Sequence, residues 1–300
     1  MSVQYGIVLG APRSGTTFLT EVLDTLPAVE CVSGNLLPVA FAHLAAQPLP
    51  AEVPPILARG LRGAFADYLS GSPYRSRSSA LRKWWLIGAP PLALPRALRS
   101  IRAETSLVYK EPFLGFSPDL AYNVSEHARL IFIYRDGRDV ADSLVRSFDV
   151  LSDARLANLD SNEAPIGRAV GELYVPWWVP EGQEGRFLAA SPYVRAIWMW
   201  REMVARSRQF FADPEVSSSG RVLHVRYEQL VSEPIEQGHR IAEHLGQSPT
   251  RRTERRLRAA HPRSIGGHRR RPPAEIAAAE QVAGDQLRAL GYHLTTPAHA

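Results

Sequence analysis

Residues 5–17 read Tyr5-Gly6-Ile7-Val8-Leu9-Gly10-Ala11-Pro12-Arg13-Ser14-Gly15-Thr16-Thr17. A short apolar run, a glycine-bounded loop and the start of an apolar-striped segment follow one another without a break. This is the strand–loop–helix setting in which backbone N–H groups and the positive end of a helix cradle phosphate oxygens. Against the nucleotide-binding pattern G-x-x-x-x-G-K-[ST], Gly10, Gly15 and Thr17 are in register, but Thr16 stands where the lysine would be. The loop's cation is Arg13, three residues earlier. The expected ligand therefore brings a phosphate group to the cradle and need not be a triphosphate.

Three more apolar runs lie downstream: 106–110 (Ser-Leu-Val-Tyr-Lys), 129–135 (Arg-Leu-Ile-Phe-Ile-Tyr-Arg) and 221–227 (Arg-Val-Leu-His-Val-Arg-Tyr). Like 5–10, they are nearly continuous rather than alternating, which suits strands buried on both faces of a parallel sheet. Helical stripes separate them. Phe18, Leu19, Val22, Leu23 and Leu26 form one, Val140, Leu144, Val145 and Phe148 a second, and residues 193–211 a longer third. The expectation is an α/β fold with a central parallel sheet. The proline-rich segment from 47, extending to about 100, and residues 150–190 read as lid insertions. Residues 262–273 form a Gly/Arg/Pro loop, and a closing helix is expected over 274–290.

With 300 residues, 45 % hydrophobic and 22 % charged, the chain is globular in composition and long enough for one large core. Its single cysteine, Cys31, excludes an internal disulfide framework. No apolar run approaches the ~18 residues of a membrane span, and no signal peptide is read at the N-terminus. A cytoplasmic protein without integral membrane association is expected. The net charge is +5, and of the 35 basic residues only Lys83 and Lys110 are lysines. That balance favours anionic ligands without choosing among them.

Four segments together resemble the sulfotransferases that use 3′-phosphoadenosine 5′-phosphosulfate (PAPS). Pro12-Arg13-Ser14-Gly15-Thr16-Thr17-Phe18 is similar to their 5′-phosphosulfate loop, in the arginine form found in bacterial and tyrosylprotein enzymes. Residues 134–143 resemble the 3′-phosphate motif, with Arg135 and Ser143 at its arginine and serine. Residues 226–234, beginning Arg226-Tyr227-Glu228, resemble the segment whose tyrosine lies near adenine. Ser264-Ile265-Gly266-Gly267-His268-Arg269-Arg270 is similar to the late glycine/basic loop that closes over the nucleotide. The matches run in the family's order from residue 5 to 292 and imply one P-loop-type α/β domain over 1–300.

The resemblance implies transfer of a sulfuryl group from PAPS to a hydroxyl or amine of a small, apolar or aromatic acceptor, with 3′,5′-adenosine bisphosphate as product. No metal is called for, because the donor lacks the β/γ oxygens that magnesium bridges in triphosphate enzymes. Arg13 would stabilise charge on the departing phosphate, with the N–H groups of Gly15, Thr16 and Thr17 beside it. Phe18 matches a position that stacks on adenine, although a core role suits it equally. Arg135 can be read as the 3′-phosphate ligand or as a salt-bridge partner of Asp136 or Asp139. Arg269 and Arg270 offer a second clamp or a solvated loop. Lys110, at a strand end, matches a lysine that contacts the transferring group.

The base is less legible, since the family's usual histidine position is Pro112 and its alternative glutamate position falls in Ser33-Gly34-Asn35. His43, on a helix expected over 36–46, is the first candidate because imidazole titrates near neutrality. Glu111 is the second. The acceptor pocket is expected from helices at 35–46 and 54–70 together with Tyr74–Trp85 and Tyr174–Trp178.

Two rivals remain open: a small-molecule kinase using ATP and magnesium, and a nucleic-acid binder built on the arginines of 251–258 and 263–271. The first lacks the loop lysine, and the second lacks interleaved aromatics or a recognisable module. A homodimer is compatible with everything above.

Overall fold

The computed structural model describes residues 4–27, 29–33, 39–71, 81, 85, 106–158 and 167–295. Five strands form a parallel sheet: β1 (Tyr5–Leu9), β2 (Val29–Ser33), β3 (Ser106–Lys110), β4 (Arg129–Tyr134) and, last in the sheet, β7 (Val222–Arg226). Their order is β2-β3-β1-β4-β7, and every pairing is parallel. A separate antiparallel hairpin, β5 (Gly167–Val170) with β6 (Leu173–Pro176), lies between the last two sheet strands in sequence.

The nearly continuous apolar runs are explained by burial on both sides. Along β1, β3 and β4 the side chains divide strictly by parity. Ile7, Leu9, Leu107, Tyr109, Leu130 and Phe132 enter one core, and Val8, Val108, Ile131 and Ile133 enter the other. The first core is covered by α4 (Gly137–Phe148), α5 (Pro192–Phe211) and α9 (Pro273–Ala289). The second is covered by α1 (Thr16–Leu23), α7 (Pro234–His244) and α8 (Arg251–Leu257). Helices α2 (Val39–Ala45) and α3 (Val53–Gly71) lie between β2 and β3 in sequence, and α6 (Tyr227–Ser232) leaves β7 directly.

All four strands read from the sequence are present. Strand β2 is the addition: at the sheet edge, with Glu30 and Cys31 only half-buried, it has no continuous apolar run to betray it. The 150–190 stretch, expected as a lid insertion, holds the hairpin and the short helices Asp153–Leu156 and Glu184–Ala189, with 159–166 outside the described residues. The 262–273 stretch is not open loop but two short 3₁₀ turns, Pro262–Ser264 and Gly267–Arg270. Helix α1 stops at Leu23, earlier than its stripe implied, yet Leu26 is still buried in the turn that follows. Tyr74 and most of 72–105 lie outside the described residues.

Candidate nucleotide site at the sheet's carboxyl edge

β1 is the central strand, and its carboxyl end opens onto the crevice where doubly wound sheets bind ligands. Three left-handed residues curl the chain there: Gly10 (φ 145°), Arg13 (φ 71°) and Gly15 (φ 98°). Both glycines are sterically required. A Cβ on Gly10 would stand 2.0 Å from the Ile133 carbonyl oxygen, and one on Gly15 would stand 2.4 Å from the Tyr227 ring. Gly15 is the N-cap of α1; no side chain caps that end, and no acid lies in its first turn. Helix starts leave their first N–H groups unsatisfied and carry partial positive charge. Ser14 is fully buried, yet its hydroxyl has no partner among the described residues. An orphaned hydroxyl beside an uncapped helix start suits an anion with several acceptor oxygens.

Arg13 and Arg135 meet at this edge. The Arg13 side chain is exposed; its Nε donates to Ser143 Oγ at 2.9 Å, and its guanidinium lies 5.5 Å from the Phe148 ring. Arg135, buried just past β4, donates through Nη1 to the Arg13 carbonyl at 3.3 Å and through Nη2 to the Ser264 carbonyl. Its guanidinium stands 4.7 Å from the Tyr227 ring centre, and its Nε is buried without a partner among the described residues. Tyr227 Oη lies 3.3 Å from Ser264 Oγ. The glycine loop, Arg135, the α6 tyrosine and the late loop thus converge, although Ser14 and Ser264 stand 250 positions apart in sequence. Arg135 also lies 3.6 Å from Asp139, so the salt-bridge reading holds together with the convergence.

Asp139 was not singled out in the sequence beyond that pairing. It accepts from Gly266 N–H (2.7 Å), His268 N–H (3.1 Å) and His268 Nδ1 (2.7 Å). Burial works against its charge, but these bonds and the Arg135 charge hold the carboxyl below its usual range. Ile265, Arg269 and Arg270 are exposed, and Arg269 and Arg270 form no ion pair with described residues. Phe18 is half-buried against the second core, with the Arg256 guanidinium 5.0 Å from its ring. The core role allowed for Phe18 is therefore present in the packing.

Lys110 ends β3 opposite Val8 of β1, which puts it on the same carboxyl edge. Glu111 follows it. Its backbone N–H donates to Val8 O, and its carboxylate accepts from Phe113 N–H at 3.1 Å, capping the 3₁₀ turn Pro112–Phe116. Burial pushes the Glu111 carboxyl up, with the Phe113 hydrogen bond and Lys110 pulling back.

That turn carries Phe113 and Phe116 against His43, at centroid distances of 5.3 and 5.2 Å. His43 is buried on α2, and its Nδ1 accepts from Trp177 Nε1 at 2.9 Å. An indole N–H only donates, so Nδ1 of neutral His43 is the acceptor and the proton sits on Nε2. Burial lowers the His43 pKa to about 4. A ring locked in this tautomer has no free lone pair to take a proton near neutral pH. The sequence carried no sign of the Trp177 contact, because the partners stand 134 positions apart.

A five-stranded parallel sheet with a phosphate loop after its central strand defines a P-loop-type α/β protein. Residues 7–170, more than half the chain, match the model of the sulfotransferase family. The chain belongs to that family. Among solved structures it is similar to the sulfotransferase domain of the Synechococcus PCC 7002 olefin synthase, with 19 % identity and a TM-score of 0.53 over 97 % of this chain and 95 % of that one. It is also similar to the sulfotransferase domain of the curacin biosynthetic pathway, with 17 % identity and a TM-score of 0.50 over 98 % and 99 %. At such identities the likeness is one of fold. Comparison with curated protein sequences returned no match. Among the described residues no helix is long and apolar enough to cross a membrane.

Proposed function

We propose that this sulfotransferase takes its sulfuryl group from PAPS and passes it to a hydroxyl, or an amine, of a small apolar or aromatic acceptor. The observation that carries the reading is the contact between the two cationic motifs. Arg135 bonds the Arg13 carbonyl and Arg13 bonds Ser143, which supports a 5′-phosphate cradle and a 3′-phosphate site lying side by side. A nucleotide phosphorylated at both ends of its ribose is the ligand that uses both.

PAPS, as donor substrate, supplies a sulfuryl group on a phosphate leaving group. The residues of the chain then divide the work. The uncapped N–H groups at Gly15–Thr17, with the Ser14 and Thr17 hydroxyls, hold the 5′-phosphate. The Arg13 guanidinium stabilises negative charge as the bridging oxygen departs. Arg135 and Ser143 bind the 3′-phosphate, with Tyr227, Ser264, Ile265 and Gly266 forming the wall beside it and Arg269 and Arg270 adding cations. Lys110 contacts the transferring group from β3.

As the sulfur–oxygen bond to the leaving phosphate breaks and the acceptor oxygen bonds to sulfur, the acceptor's proton passes to Glu111. Glu111 is preferred over His43 as base because it follows Lys110 at the sheet's carboxyl edge and burial raises its carboxyl above the ordinary value, whereas His43 is locked by Trp177. His43, Phe113, Phe116 and Trp177 form the aromatic cluster that favours an apolar or aromatic acceptor.

A thermal-shift titration tests the donor. Addition of 3′,5′-adenosine bisphosphate is expected to raise Tm without magnesium, and ATP with magnesium to raise it far less. A shift with magnesium-ATP and none with the bisphosphate would favour a kinase and end the donor reading. The base is tested by turnover. Glu111→Gln is expected to lower kcat by roughly 10²-fold or more, and His43→Gln by much less. Equal losses in the two variants would remove the assignment to Glu111.

A further inference from the structure

Helix α4 presents two buried carboxylates to the late loop, three residues apart on one face. Asp139 takes Gly266 N–H on one oxygen and both the N–H and Nδ1 of His268 on the other. Asp142 accepts from Arg271 Nε at 2.9 Å and from Arg146 Nε at 2.8 Å. The loop is therefore gripped at 266–268 and again at 271, and the exposed Arg269 and Arg270 lie between the grips. Gly266 makes the first grip possible: its φ of 75° belongs to the left-handed region. At Gly267 a Cβ would come within 3.3 Å of an Asp142 oxygen.

A carboxylate next to a phosphate site opposes binding unless its charge is consumed elsewhere. At Asp139 it is consumed, by three donors from the late loop and by Arg135 at 3.6 Å. The same Arg135 Nη2 also donates to the Ser264 carbonyl of that loop.

We propose that Asp139 is a positioning residue for the nucleotide's 3′ end: it latches the 264–271 loop and thereby fixes Arg135 and Ser264 for the 3′-phosphate. The proposal rests on the donor reading above and adds to it a residue that never touches the nucleotide. Its signature is selective. Releasing the latch weakens ligands that carry a 3′-phosphate and spares those that carry only the 5′-phosphate.

The test is calorimetric titration of the full chain with 3′,5′-adenosine bisphosphate and, in parallel, with 5′-adenosine monophosphate. Hydrogen exchange of residues 264–271 is followed in the same proteins. Asp139→Asn is expected to weaken bisphosphate binding roughly 10- to 100-fold and monophosphate binding less than about threefold, with faster exchange in the loop. His268→Leu removes one donor and leaves the carboxylate; it is expected to reproduce the selectivity at roughly three- to tenfold, and it serves if Asp139→Asn does not fold. Wild-type affinity in both variants, or equal weakening of the two nucleotides, overturns the latch. Failure of the wild-type protein to bind the bisphosphate at all removes the donor reading, and the latch with it.

Discussion

Arg13→Ala is expected to lower sulfuryl-transfer turnover by roughly 10²- to 10³-fold. Arg13 is the one cation inside the loop, since Thr16 occupies the lysine position. In the proposed reaction its guanidinium meets charge as it develops on the departing phosphate. Removing it therefore costs transition-state stabilisation more than ground-state binding. The backbone cradle survives the change, because Arg135 bonds the Arg13 carbonyl rather than its side chain. Bisphosphate affinity should consequently fall by less than about tenfold. Arg135→Ala should show the opposite balance, with donor binding weakened by roughly 10- to 100-fold. Single-turnover kinetics at saturating PAPS, beside equilibrium titration, separates the two. Equal losses of kcat in both variants, or unchanged donor affinity in Arg135→Ala, would show that the roles are wrongly divided.

Gly10→Ala is expected to destabilise the fold by about 3 kcal/mol or more. Two costs combine at this position. The residue has φ 145°, which L side chains rarely adopt. Its new methyl would lie 2.0 Å from the Ile133 carbonyl oxygen, a backbone atom of neighbouring strand β4. A flexible side chain could swing away; a strand inside a five-stranded sheet cannot. Relief would have to come from moving β1 away from β4, and that would displace Arg13 from Arg135. Urea denaturation should show a lowered midpoint, and bisphosphate titration a weakened site. A Gly10→Ala protein as stable as the wild type would mean that the loop reaches its conformation by another route.

The fold was legible in 5–10, 106–110, 129–135 and 221–227 because burial on two faces leaves an unbroken apolar run, and such a run is visible one segment at a time. The loop's conformation was legible for a related reason: Gly10, Arg13 and Gly15 shape it through local backbone geometry, which neighbouring residues encode. Strand β2 was not legible, since an edge strand with Glu30 in it need not be apolar throughout. The surroundings of the candidate base were not legible from composition. An imidazole titrates near neutrality in water, but His43 is buried among Phe113, Phe116 and Trp177.

The sequence alone determined the parallel α/β architecture, the glycine-bounded strand–loop–helix turn at the start of α1 and the order of the four motifs, all of them properties of contiguous segments. Only the tertiary structure decided that Arg135 reaches Arg13 and Ser264, that Asp139 grips the late loop, and that Trp177 sets the His43 tautomer. Those contacts join residues more than a hundred positions apart, apart from the one-turn Arg135–Asp139 pair. Hydrogen bonds act over about 3 Å of space, and no local pattern in a chain records which distant segment folding will bring within that distance.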